Sequence, residues 1–242
     1  MEKNSKLHAN HRQRLKNRAL VEGLDNFEPH NVMELMLFYA LPHVDTNDIA
    51  HELINRFGSF EAVFNAPMEE LVKIKGIKGQ AATFLKLMPQ FCRYYYTHRG
   101  ENFNTKPTYE EIPEIFAHHF VGRCDEVVAC MFFDQAGYYI NSKVMFEGSV
   151  NSVAFSLRAV VDEAVFCGAY KIAIAHNHPS GFPIPTPTDI DTAKSLKVSF
   201  EQMNIEFIES YVIANKSYCG VLGFVQNNLD SESTVKPLKL NL

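Results

Sequence analysis

Lys171-Ile172-Ala173-Ile174-Ala175-His176-Asn177-His178 is the stretch that decides the reading of this chain. The apolar run Lys171 to Ala175 predicts a short buried strand that leads straight into His176. In a strand, residues i and i+2 face one side. His176 and His178 therefore leave the strand's end on a common face. The loop that follows, Pro179 to Pro187, holds four prolines and one glycine and is stiff. Thr188 is expected to cap a helix from Asp189 to about Met203, which puts a carboxylate at a helix start, where the dipole favours it. Two imidazoles one residue apart, with a carboxylate eleven residues on, make a three-ligand site for a divalent metal. Three protein ligands leave a fourth position for water, as in catalytic zinc sites.

Working outward, the surrounding segments alternate strands and helices. Residues 109–121 read as a helix. Val127 to Phe133 is β-rich, Asp134-Gln135-Ala136-Gly137 is a hairpin turn, and Tyr138 to Phe146 is the return strand. Residues 156–168 read as a helix ending at Gly168. Ile205 to Ile213 and Tyr218 to Val225 are expected to finish the sheet around an Asn215-Lys216 turn, with a loose polar tail from about Gln226.

The first hundred residues read as all helical. Asn31 with Glu34 forms a capping-box-like start to a buried helix that Pro42 stops. Thr46-Asn47-Asp48 caps a second helix ended by Gly58, and Pro67 opens a short third. Val72 to Ala82, with Gly76 and Gly79, fits two helices joined by a tight turn. A longer helix carrying Pro89 follows. The polar, Pro-containing stretch 101–108 reads as a linker. The expected fold class is α+β, an N-terminal all-helical domain (1–100) followed by a domain (109–226) with a mixed sheet flanked by helices. The tail is 227–242.

Composition narrows the function classes. The chain has 242 residues, 46% hydrophobic and 21% charged, which fits folded domains with real cores. Net charge is −5, so the whole chain is no nucleic-acid coat. Residues 1–100 carry 13 Lys/Arg against 11 Asp/Glu, and the remainder 10 against 17. The basic excess sits in Lys3 to Arg18. Five scattered cysteines form no C-x-x-C pair and read as reduced thiols. With no signal segment and no apolar run of roughly 18 residues, the expectation is a cytoplasmic protein with no membrane partner. The oligomeric state is left open.

A metal-activated water needs a proton acceptor. Spacing alone leaves Glu126, Glu147, Asp162 and Glu163 as candidates, and Thr186 and Ser180 as local hydroxyls for an oxyanion. His118-His119 makes a poor chelate, because adjacent helical residues point about 100° apart.

The string His176-x-His178, seven residues, Thr186, two residues and Asp189 resembles the JAMM motif of Jab/MPN metalloproteases, which has Ser at the place of Thr186. Ala175 to Gly181 and Phe146 to Ser152 resemble the RadC branch of that superfamily, and the Gly76-Ile77-Lys78 turn is similar to its helix-hairpin-helix. The likeness covers roughly residues 8–226. It implies a JAMM/MPN-like α/β domain and a zinc-dependent hydrolase acting on an amide bond of a peptide or protein substrate. His176, His178 and Asp189 would be ligands, Glu126 the base and Thr186 the oxyanion helper. The alternative is a DNA-associated repair or recombination module, binding through the helical domain, with a structural or vestigial metal site. Lys73, Lys75 and Lys78 would then supply counter-charge to phosphates. The chain departs from the branch at Thr186, at Phe182 (usually acidic), at Leu157 and Ala159 around Arg158, and at Ser210 (usually His).

Overall fold

Val127–Phe133 is buried along its whole length, which requires cover on both faces of the sheet it belongs to. The computed structural model describes residues 2–98, 105–148, 156–179, 181–226 and 234–239. The chain divides into two compact units, Met1–Phe91 and Cys92–Leu242.

The first unit is helical: α1 (Glu2–Glu22), α2 (Pro29–Ala40), α3 (Asn47–Phe57), α4 (Phe60–Asn65), α5 (Met68–Leu71) and the start of α6 (Gly79–His98). Its core gathers Met33, Leu37, Leu53, Val63, Leu71 and Leu85. Three local expectations shift. α2 starts at Pro29 rather than near Asn31, because the fixed φ and missing N–H of proline suit a first helical position. Glu34 is buried instead of capping, with Oε1 3.0 Å from His11 Nε2 and Oε2 accepting from Asn47 Nδ2 at 3.2 Å. Phe60–Asn65 forms an extra short helix, capped by the Ser59 hydroxyl on the Ala62 N–H at 3.0 Å. Gly76 turns the chain with φ +97°, and a Cβ there would sit 2.6 Å from Ile49 Cδ1. That turn admits only glycine. The division between units falls inside α6, ahead of the 101–108 stretch read as a linker, of which 101–104 lie outside the described residues.

The second unit follows with α7 (Ile112–Phe120), β1 (Val127–Phe133), β2 (Tyr139–Glu147), α8 (Leu157–Phe166), β3 (Lys171–Asn177), α9 (Pro187–Gln202), β4 (Glu206–Ala214), β5 (Ser217–Gly220), α10 (Val221–Gln226) and β6 (Val235–Pro237). The strand order is β2-β1-β3-β4-β5-β6. Among the described residues only β3 and β4 pair in parallel, with α9 as the crossover that such a pair requires. α7 covers one face, with Phe116 against Ala129, Met131 and Ala175. α8 and α9 cover the other, with Val160 and Phe200 against Val128, Cys130 and Ile174.

Two expectations at the chain's end are corrected. Tyr218 to Val225 is not one strand, since the chain turns from β5 into α10 at Gly220. The Glu209 carboxylate accepts the Leu222 and Gly223 N–H groups at 2.9 and 3.1 Å and so holds the helix's first turn. The stretch read as a loose tail supplies β6, paired with β5, and buries Leu238. Among the described residues, no helix is long and apolar enough to cross a membrane.

Candidate metal centre

β3 alternates its side chains as its sequence requires. Ile172 and Ile174 enter the core under α8 and α9, and His176 continues on that face at the strand's end. α9 then returns over the same face. Its N-cap is Thr186 rather than Thr188, with Pro187 in the first helical position. Asp189 is consequently the third helical residue and closes a capping box with Thr186.

This geometry brings the three predicted ligands together. Nε2 of His176 lies 3.2 Å from Nε2 of His178 and 3.4 Å from Asp189 Oδ1. Nε2 of His178 lies 3.7 Å from Asp189 Oδ2. A tetrahedral zinc with nitrogen ligands at 2.0–2.1 Å has donor-to-donor edges of about 3.3–3.4 Å. The two imidazole nitrogens, 3.2 Å apart, come close to such an edge; one carboxylate oxygen of Asp189 lies within 4.8 Å of both, and the N/N/O donor set suits zinc. The group could therefore hold a metal ion.

Each of the three residues is held differently. The His178 Nδ1 lies 3.1 Å from the Phe182 carbonyl, which fixes the tautomer and turns the Nε2 lone pair towards the centre. His176 Nδ1 is buried with no hydrogen-bond partner among the described residues, so that ring is oriented by its place in β3. Asp189 Oδ2 accepts from the Thr186 hydroxyl at 2.7 Å and from the Thr186 N–H at 2.8 Å. Burial alone would raise the Asp189 carboxyl. Hydrogen bonds from His176 and Thr186 overcome this and hold it well below the usual carboxylate range.

The remaining candidates separate cleanly. Glu126 immediately precedes β1, and Val128, two residues on, stands opposite His176. By the two-residue period its side chain belongs on the imidazole face. It is not one of the three converging donors. Glu147 pairs with Arg123, Glu163 with Lys143 at 2.7 Å, and Asp162 lies exposed, 3.8 Å from Arg158. The Thr186 hydroxyl donates to Asp189 and lies 3.1 Å from the Thr188 hydroxyl, so its geometry serves the ligand. Ser180 lies outside the described residues, as do 149–152 of the Phe146 to Ser152 string. Phe182 is 75% exposed beside His178, and Ser210 is buried opposite Ile174.

Residues 107–226 match the family described as RadC-like JAB domain. The chain carries a RadC-like JAB domain. The chain is 27% identical to a UPF0758 protein of Fusobacterium nucleatum subsp. nucleatum, over 88% of this chain and 94% of that protein. UPF0758 proteins of Ruegeria pomeroyi and Carboxydothermus hydrogenoformans are each 26% identical, over 86% and 85% of this chain and 92% and 91% of theirs. The converging His176, His178 and Asp189 thus sit within a RadC-like JAB domain, on the β3–α9 connection.

Two polar residues of this domain escaped the sequence reading. Glu209 and Asn177 both act on backbone groups distant in sequence, which no spacing rule reveals. The available signal for Asn177 was its own position: a carboxamide on the apolar face of a buried strand needs partners for both ends.

Proposed function

We propose that the protein is a zinc-dependent metallohydrolase that cleaves an amide bond in a peptide or protein. The observation that carries this reading is the convergence of one donor atom each from His176, His178 and Asp189 within 4.8 Å of one another, with the two imidazole nitrogens 3.2 Å apart. These three residues would hold the metal. When bound, zinc supplies a Lewis acid and lowers the pKa of a water to about 7. Glu126, from its register beside the histidines, is the proton acceptor in this reading and returns the proton to the leaving amine. Thr186 keeps Asp189 aimed and charged. The stiff loop from Pro179 to Pro187 limits how far the ligands can relax.

The test is a peptide and isopeptide library offered to the zinc-loaded protein, with cleavage followed by mass spectrometry. Glu126→Gln should keep its zinc and lose about 10²–10⁴-fold in rate. A zinc-loaded parent that cleaves nothing, or a variant that cleaves as fast, ends the reading. Zinc bound without turnover would leave a metal-stabilised scaffold, recognised by a melting temperature that falls with EDTA. The five cysteines are free, which supports a reducing, cytoplasmic location.

A second reading concerns the helical unit alone. Lys75 and Lys78 are exposed on either side of the Gly76 turn, a placement suited to phosphate contact, whereas Lys73 is paired with Glu70. Binding to branched or single-stranded DNA should weaken in Lys75→Glu/Lys78→Glu, with a shallower salt dependence. Unchanged affinity removes this reading.

A further inference from the structure

We infer that Asn177 is a positioning residue for Glu126: its carboxamide fixes the backbone on both sides of that carboxylate. The inference rests on the reading of Glu126 as proton acceptor and extends it to the residue lying between the two histidines. Asn177 leaves β3 on the face opposite the imidazoles, the face covered by α7, and is 5% exposed. A carboxamide in that place must find both an acceptor and a donor. It finds them on the neighbouring strand's approach. Oδ1 accepts the Val127 N–H at 2.7 Å, and Nδ2 donates to the Asp125 carbonyl at 3.1 Å. These two groups bracket Glu126.

The carbonyl of Glu126 is tied from the opposite side, accepting the Gly148 N–H at 2.7 Å. Asp125, Glu126 and Val127 are therefore anchored in turn to β3, to the end of β2 and again to β3. The listening point of this arrangement is register. The antiparallel pairing of β1 with β3 reaches Val128 and His176. Beyond it a strand pair would fray, and Glu126 stands just beyond it. The Asn177 carboxamide extends the cross-strand bonding past that limit with side-chain atoms. One strand end thus sets both the ligands, through His176 and His178, and the acceptor, through Asn177. A smaller apolar residue at 177 would strand two buried backbone groups and release the segment that carries Glu126.

The experiment uses the full-length, zinc-loaded protein and acetohydroxamate, a zinc chelator whose hydroxyl proton is shared with an adjacent carboxylate. Calorimetry gives its Kd for the parent, Glu126→Gln, Asn177→Ala and the double variant, with zinc content measured on each. Glu126→Gln should weaken binding about tenfold, through loss of a charged hydrogen bond. Asn177→Ala should weaken it to a similar extent while keeping one zinc per chain, and the double variant should be no weaker than Glu126→Gln. An Asn177→Ala Kd within twofold of the parent overturns the inference. So do effects that multiply in the double variant, which would route Asn177 through the ligands instead. If Asn177→Ala does not fold, Asn177→Asp replaces it. That variant keeps the acceptor for Val127 and loses the donor to Asp125, so parent-like binding again overturns the proposal. If the parent takes up no zinc, the metal reading fails separately. Amide exchange at Val127 then decides: protection lost in Asn177→Ala supports the clamp, and unchanged protection removes it.

Discussion

The two units each bury a carboxylate beside a histidine, and only one of the two carboxylates faces a second imidazole. Glu34, 1% exposed, has both oxygens engaged, one by His11 and one by Asn47. His11 is itself 41% exposed, so its other side can reach water. Asp189, 4% exposed, faces two imidazole nitrogens that also face each other at 3.2 Å. The two nitrogens and the carboxylate converge as a donor set that a divalent cation would satisfy. The comparison teaches that burial of charge does not by itself mark a site. What marks it is whether the neighbours also converge as metal-ligating atoms, as two imidazoles do around Asp189 and as none are found to do around Glu34 among the described residues.

The comparison breaks first on zinc content. Asp189→Ala should fall from about one zinc per chain to none, because the only charged ligand is gone. Glu34→Ala should retain its zinc. It should lose about 2–3 kcal/mol of stability, since Asn47 and His11 are left without their partner. Elemental analysis and denaturant unfolding of both variants check this. Zinc lost on changing Glu34, or kept on changing Asp189, would erase the distinction.

A third cluster sharpens it. His119 Nε2 lies 2.8 Å from the Ser142 hydroxyl, which lies 2.8 Å from the Tyr139 hydroxyl, so this cluster is closed like that of Glu34. Burial first, then repulsion from His118, Arg123, Arg93 and His98, pushes the His119 pKa down to about 4. Its unfolded value is near 6.5. Between those two values the unfolded chain takes up the proton first. The contribution is intact above pH 6.5, falls by up to about 3 kcal/mol as the pH drops to 4, and levels off below. His119→Gln, measured beside the parent at pH 7 and pH 4.5, should lose that part of the acid sensitivity with zinc content unchanged. A parent and variant that weaken in parallel would show that His119 titrates normally.

Legibility in the sequence followed the range of the interaction. The β3 run, the facing histidines and the carboxylate on the next helix were readable, because strand period and helix start are local. Thr188 stands two residues after the true cap: Pro187 separates two threonines, and Thr186 forms the box with Asp189. Spacing left four carboxylates open as acceptors, and three of them lie beside basic residues of their own. The α10 turn depends on Glu209 reaching thirteen residues along the chain to the Leu222 N–H. Asn177 reaches fifty residues back to Val127. Such partners belong to the assembled sheet, and no pattern of period or spacing announces them.

The smallest effect concerns how the Asp189 carboxylate is held. Thr186 gives Asp189 two bonds to Oδ2 and accepts the Asp189 N–H at 3.2 Å. Thr186→Val keeps the shape and removes the hydroxyl. It should cost about 1 kcal/mol through the lost cap and weaken zinc about tenfold, as losses of outer partners do. Thr186→Ser should restore both. The matching change in the helical unit is Thr46→Val, where the hydroxyl lies 3.5 Å from the Glu34 carbonyl and no cap bond forms; it should leave zinc affinity untouched. Competition with a chromogenic chelator measures the affinities, and thermal melts the stability. If Thr186→Val instead slows hydrolysis with zinc affinity and stability intact, the hydroxyl acts on the reacting carbonyl, as the JAMM resemblance implies. The line between holding a ligand and touching the substrate would then run through Thr186 itself.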